Sequence, residues 1–361
     1  MSNDADSLIA DSVERLFASR VDKGLRERAE AGALDAALWQ QVSDAGFTLA
    51  LASEAQGGIA QSWSAVYPIL RGIGYWQVPL PVAETLVGAL LASLAGFALM
   101  AGPLTLIEQG QGNRLTLSGS ADKPTLSGIA HAVPWARHAD AAVVSLADGR
   151  VAWLPLQRAS GVSVQPHTNT AGLPSDTLMF DQAALTAIAA NPLPGLARPV
   201  WTLGAIARSA MLVGALESAL DQAVRYAGER VQFGKPIGRN QVIQHHLALM
   251  AGDVAAARVA ALVAATDAPD VVNRGTSATQ FSAAVAKVRA GEAATRGAAI
   301  VHQVHGAIGF THEHPLHFAT RRLWAWREEF GSDAFWAAEL GHAAIAVGSA
   351  GFWPGVTAKR F

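Results

Sequence analysis

Arg230, Gln232, Phe233, Gly234 and Lys235, with Gln241 following, put a fixed positive charge and a glycine where one apolar helical run ends and the next begins. An arginine at such a place can hold a pyrophosphate through paired charge-assisted bonds, and a glycine lets the backbone approach the ligand. Gln303-Val304-His305-Gly306-Ala307-Ile308-Gly309-Phe310-Thr311 forms a second glycine-rich break. Together the two suit an anionic ligand of dinucleotide type. Taken singly they also allow Arg230 to be a helix cap and Phe233 to be core. Glu328 and Glu329, beside Arg327, read as a solvated acidic pair. Five of the eleven histidines fall between His302 and His317, but His312 and His314 lack the i, i+4 spacing of a zinc-binding helix pair, so we expect no metal. Arg321, Arg322 and Arg327 read as the solvated basic face of a helix.

Three kinds of element must position these residues. From Asp6 to about Gly102 the period is helical, with Ile9, Val13, Leu16 and Phe17 on one face and Leu34, Leu38, Trp39 and Val42 on another before Gly46. The loop Glu54 to Gly58 and a buried helix from Leu86 to Met100 complete an all-α domain, residues 1–102. From Pro103 the period falls to two: Leu115 to Leu117, Val162 to Val164 and Leu178 to Phe180 are short strands. Asp148-Gly149 joins Ala142 to Leu146 and Val151 to Leu154 as a hairpin. Residues 103–190 are thus a small antiparallel β-domain. Residues 191–361 return to helix and form a four-helix bundle. Val213, Leu216, Leu220 and Val224 mark its first helix, and Ile243, Leu247, Met250, Val254, Ala257 and Ala261 its second. Ser277 caps a third, and a fourth follows Pro315. The fold class is α+β and multidomain.

Composition narrows the partners. The 361 residues are 51% hydrophobic and 16% charged, with a net charge of −2, which argues against nucleic acid. The absence of cysteine excludes disulfides, thiolate nucleophiles and thiolate-bound metals, and suits the cytoplasm. Met1 to Asp6 lacks the pattern of a signal peptide, so we expect the mature protein to begin here. Thr85 to Ile107 carries no charge and has the length of a membrane span, but its glycines, Pro103 and acidic flanks favour a buried helix.

Helices, a small β-domain and a bundle interrupted at these two places resemble the acyl-CoA dehydrogenase family. Glu229 to Ile237 with Gln241 is similar to the signature between the family's first two bundle helices, and Gln303 to Thr311 to that between the third and fourth. Weaker agreement extends to Trp39, Gly46 and Glu54 to Gly58. The resemblance implies FAD as cofactor and α,β-dehydrogenation of an acyl-CoA, in which a carboxylate takes the α-proton. It also implies an electron acceptor such as an electron-transfer flavoprotein. By the same resemblance Arg230 reaches the FAD pyrophosphate of a neighbouring subunit, Gln232, Phe233 and Gln241 line the adenosine side, and Gln303, Gly306 and Ala307 meet that end too. Arg321, Arg322 or Arg327 could then meet a CoA phosphate.

The pattern departs where the chemistry should be. The family's usual glutamate position falls on Phe330, before Gly331 and Ser332. Its alternative position falls on Gly204, followed by Ala205 in place of arginine. Glu329 adjoins the first, but on a helix one residue turns a side chain by about 100°. Glu108-Gln109-Gly110-Gln111-Gly112 and Val133-Pro134-Trp135-Ala136-Arg137 replace the usual flavin loops, with Trp135 left as a possible stacking partner. Two readings follow. In one the chain is a working dehydrogenase using Glu329. In the other it is the short partner subunit of a heteromeric enzyme, a dimer of heterodimers serving bulky thioesters such as steroid side chains, and it lends FAD contacts to a second acyl-CoA dehydrogenase subunit. The missing glutamates, the short middle domain and the modest length favour the second. Flavin monooxygenases and acyl-CoA oxidases share the architecture and form a third reading.

Overall fold

The computed structural model describes residues 2–110, 112–120, 122–157, 159–275 and 278–360, with side chains from residue 8 onward. Ser277, expected as a helix cap, and Gln111 lie outside the described residues.

The chain opens with helices α1 (Ser2–Arg20), α2 (Lys23–Glu30), α3 (Ala36–Asp44), α4 (Trp63–Trp76) and α5 (Val82–Ala95). Asp22, Asp35 and Ser62 cap the N-termini of α2, α3 and α4 through their side-chain oxygens. Phe17, Val42 and Trp63 are buried in one core. The uncharged run from Thr85 to Ile107 does not continue as a single helix. α5 stops at Gly96, which takes a left-handed φ of 75°, and after Pro103 the chain re-enters the core as strand β1 (Leu104–Glu108). The run is therefore a buried helix followed by a buried strand.

Strands β2 (Arg114–Ser120), β3 (Lys123–Pro134), β4 (Ala141–Ser145), β5 (Arg150–Pro155), β6 (Val162–Gln165), β7 (Ser175–Ala184) and β8 (Ala187–Ala190) follow. They form two four-stranded sheets, ordered β1-β4-β5-β8 and β2-β3-β7-β6. Pairing is antiparallel throughout except between β1 and β4, which run parallel, a pairing that the short strand repeats do not reveal. The β4–β5 hairpin turns at Gly149, as the Asp-Gly pair implies.

Helix α6 (Pro199–Glu229) then runs 31 residues through the middle of the protein. It crosses α4 at backbone contact: a side chain on Gly74 would meet the Met211 carbonyl, and one on Gly214 the Arg71 carbonyl. A short hairpin, β9 (Val231–Gln232) and β10 (Lys235–Pro236), leads into α7 (Gln241–Asp267). α8 (Ala278–His305), α9 (Leu316–Glu328) and α10 (Asp333–Ala358) complete the bundle, with α10 kinked at Gly348. On α6, Val213 and Leu216 are buried as their spacing requires, but Val224 is exposed, because in the last turns Ala223 and Ala227 form the face turned to the core. On α7, Met250, Val254, Ala257 and Ala261 face inward. Both α6 and α7 are long and apolar enough to cross a membrane. The apolar window of α6 is 89% buried in the protein and that of α7 only 28%.

Candidate functional site

Two places concentrate the residues of interest. The first is a cavity of about 440 Å³ at the seam between the β-domain and the bundle. Leu106, Glu108, Pro134, Thr168 and Asn169 line one side, and Trp201, Trp324, Glu329 and Phe330 the other. Positions 204 and 330 meet beside it. Phe330 sits in the loop after α9 with a left-handed φ of 55°, and its buried ring rests on the bare backbone of Gly204, where a methyl group would collide with ring carbons. The Phe330 ring thus occupies the space that a carboxylate at position 204 would need.

Glu329 is not placed as a free base. Its Oε2 accepts from Arg208 Nε at 2.6 Å and its Oε1 accepts from Asn169 Nδ2 at 2.8 Å, and the side chain is 14% exposed. Arg208 also donates to Glu84 and packs over the Phe330 ring. Burial works against the charge on Arg208, but the two carboxylates more than offset it and hold its pKa above the ordinary range. Glu329 is thus the outer member of a buried Glu84–Arg208–Glu329 network that ties helices α5 and α6 to the loop after α9. This corrects the solvated-pair reading: only Glu328 faces solvent, where it pairs with Arg327 at 3.4 Å. The backbone below is pinned by Lys287 of α8, whose Nζ donates to the Arg327 carbonyl at 2.7 Å and the Gly331 carbonyl at 2.5 Å. Burial pushes the Lys287 pKa down to about 7.

Glu108, at the end of β1, was expected only as a helix flank and part of a loop, yet it is a buried carboxylate of the site. It lines the same cavity, and its Oε2 accepts from the Trp201 backbone N–H at 2.9 Å, so it caps α6. Burial pushes its pKa up to about 7, against the opposing pull of Ser145, the α6 amides and Arg198. Trp135, a candidate stacking residue, is instead buried in the core and does not line the cavity.

The second place is a surface cavity of about 540 Å³ between the two glycine-rich breaks. Arg230 and Gln232 line it from the α6–α7 connection, and Gln303, His305, Gly306 and Ala307 from the end of α8, with Tyr226, Ile243 and Ile308 as further walls. The fold thus brings together five of the seven residues proposed to bind cofactor. The other two are elsewhere. Phe233 stands at the tip of the β9–β10 hairpin, 100% exposed with φ 50°, so it is not core in this chain. Gln241 opens α7, exposed and outside the lining.

The histidines pack as rings. His305 stacks on Tyr226 with centroids 4.6 Å apart, His302 stacks on Phe310 at 4.2 Å, and His314 meets His305 edge-on at 4.7 Å. Burial lowers the pKa of His302, His305, His314 and His317, which favours neutral rings. The expected basic face of α9 is also corrected. Arg322 is 0% exposed, Arg321 pairs with Glu30 at 2.6 Å, and Arg327 pairs with Asp333 at 2.9 Å.

Arg208 and Lys287 were not among the expected site residues and Glu84 was read only as an acidic flank, although Arg208 and Glu84 are lone charges in apolar helical runs. A charge so placed must find a buried partner, and that was the available signal.

Residues 197–340 match the family model "Acyl-CoA dehydrogenase, C-terminal domain". The acyl-CoA dehydrogenase IpdE2 of Mycobacterium tuberculosis is 39% identical over 131 residues, 36% of this chain and 37% of that protein. The aligned part therefore spans little more than a third of that relative's length. The acyl-CoA dehydrogenase FadE27 of the same organism is 29% identical over 306 residues, 78% of this chain and 81% of its own. Among solved structures, one in the ChsE4-ChsE5 complex from Mycobacterium tuberculosis superposes with a TM-score of 0.83 at 24% identity, covering 95% of this chain and 97% of that one.

Proposed function

Because residues 197–340 form an acyl-CoA dehydrogenase C-terminal domain and the chain as a whole has the acyl-CoA dehydrogenase fold, we propose that it is the partner subunit of a heteromeric, FAD-dependent acyl-CoA dehydrogenase. One observation carries this reading: both places where the family keeps its base are filled by hydrocarbon, the Phe330 ring against Gly204. The cavity between the two breaks is nevertheless formed. Its residues fit the adenosine diphosphate end of FAD. Arg230 supplies a fixed charge for the pyrophosphate, Gln232 and Gln303 supply amides, and Tyr226, Ile243 and Ile308 supply apolar walls. When bound, FAD would supply hydride acceptance.

In this reading the chain does no proton transfer. It holds the nucleotide end of a flavin whose reactive ring lies in the second subunit, and that subunit contributes the carboxylate. The largely exposed apolar side of α7 would be covered on assembly, in a dimer of heterodimers. A steroid side-chain or other bulky thioester is the proposed substrate class, an electron-transfer flavoprotein the proposed acceptor, and the cytoplasm the proposed location.

The test is co-purification with an acyl-CoA dehydrogenase chain that retains its glutamate. Arg230→Ala should lower bound flavin at least tenfold while the assembly stays intact. Purification of this chain alone with stoichiometric flavin that an acyl-CoA bleaches would sink the proposal. In that case Glu108, buried and titrating near neutrality beside the same cavity, is the group to examine: Glu108→Gln would then abolish bleaching.

A further inference from the structure

The hydrogen bonds of His302, His305 and His314 suit neutral rings and oppose charged ones. His305 Nδ1 lies 2.7 Å from the Val301 carbonyl and so carries the proton, while its Nε2 is buried with no hydrogen-bond partner among the described residues. His302 Nε2 lies 3.2 Å from the Thr320 oxygen, whose own hydroxyl donates to the Leu316 carbonyl. His302 Nε2 is therefore the donor, and its Nδ1 is buried with no partner. His314 Nδ1 accepts from the backbone N–H of Leu316 at 3.2 Å, the first residue of α9. An imidazolium carries a proton on both nitrogens. Charging His302 or His305 would thus bury an N–H without an acceptor, and charging His314 would break the bond at the start of α9.

The surroundings do little to offset such a charge. Around the rings stand Tyr226 of α6, Arg230 of the α6–α7 connection, His312 and the exposed Glu313 of the loop, and His317 and Arg321 of α9. From α2 come Lys23, which donates to the His312 carbonyl, and Glu30, which is already bound to Arg321 at 2.6 Å. Burial lowers the pKa of all three histidines from the ordinary 6.5, and His305 lowers those of His302 and His314 further. Their contribution to holding this region is complete above pH 6.5 and is lost as pH falls below it.

The same rings tie the second break in place. His305 joins Tyr226 to His314, and His302 stacks on Phe310 at the end of the 3₁₀ turn Gly306–Phe310. We propose that His302, His305 and His314 form an acid-released latch, which holds residues 306–315 against α6 and α8 while neutral and frees them when charged. Gln303, Gly306 and Ala307 wall both the cavity between the breaks and a neighbouring one of about 580 Å³, so release would reshape both. The inference does not depend on what either cavity binds.

Hydrogen exchange of the full chain at pH 7.5 and pH 5, with rates corrected for the intrinsic effect of pH, tests this. Protection of residues 303–316 should fall at least about tenfold at pH 5, the effect of one imidazole shifted by one unit between the held and freed segment. Helix α4 should keep its protection. In the variant His302→Phe/His305→Phe/His314→Asn the rings cannot charge, and asparagine still offers an oxygen to the Leu316 amide. Its segment should be equally protected at both pH values. Unchanged wild-type protection, loss that spreads evenly over the whole chain, or loss that persists in the triple variant overturns the latch. The regional pattern of the wild type decides even if the variant fails to fold.

Discussion

Glu108 is a carboxyl group whose burial outweighs its hydrogen bonds, and the sign of its effect on stability follows. Its pKa rises from the ordinary 4.5 to about 7 on folding, so between these values the native state holds the proton more tightly than the unfolded chain. Its favourable contribution is complete below pH 4.5 and is lost as pH climbs through 7, a difference on the order of 3 kcal/mol. Glu108→Gln can still accept from the Trp201 amide but does not ionise. The variant should therefore gain on the wild type between pH 5 and pH 8 in urea denaturation, and a pH-independent difference would show that the carboxyl is already ionised in the fold. Position 204 permits an equally direct trial. Gly204→Ala presses a methyl group onto the Phe330 ring and should cost about 1–3 kcal/mol. In the Phe330→Ala background the same change should cost little, and additive losses in the double-mutant cycle would show that the two positions do not touch.

The corner between α9 and α10 depends on a lysine from a third helix. Lys287 holds two carbonyls of the turn, so Lys287→Met should leave both without their buried donor and destabilise the fold by about 2 kcal/mol or more. Because burial lowers the Lys287 pKa from 10.5 to about 7, the wild-type chain sheds a buried charge as pH rises above 7. Its advantage over Lys287→Met should consequently widen between pH 7 and pH 9, and a gap that narrows over that range would contradict the assignment. Helix and strand placement was largely legible in the residues, because the inward faces of α7 and the hairpin at Gly149 follow local rules of period and turn chemistry. The contacts that decide the site were not. The pairing of Arg208 with Glu84 and Glu329 spans separations of 124 and 121 residues, and no local pattern encodes which distant charge a buried arginine will meet. The cavity between the two breaks was half legible: the motifs named Arg230, Gln303 and Gly306, but only the fold shows Phe233 standing clear of them and His305 with a nitrogen to spare.

At the scale of the molecule, the side of α7 turned away from the bundle stands out. Val242, Leu249 and Val259 are each more than half exposed on a helix with few charges, and monomeric proteins rarely leave such a stripe uncovered. Leu249→Glu with Val259→Glu should leave the helical circular dichroism unchanged while preventing co-assembly in analytical ultracentrifugation. An assembly of unchanged mass would mean that the subunits meet through another face. The ring of Phe330 lying on Gly204 also governs how this chain could change. A glutamate introduced at 204 runs into the ring, and a glutamate at 330 leaves the hollow above the glycine open and its new charge to share Arg208 with two carboxylates already bound there. Installing a base therefore takes at least two coordinated substitutions, the first harmful by itself, so the division of labour proposed for this chain would be hard to reverse one mutation at a time.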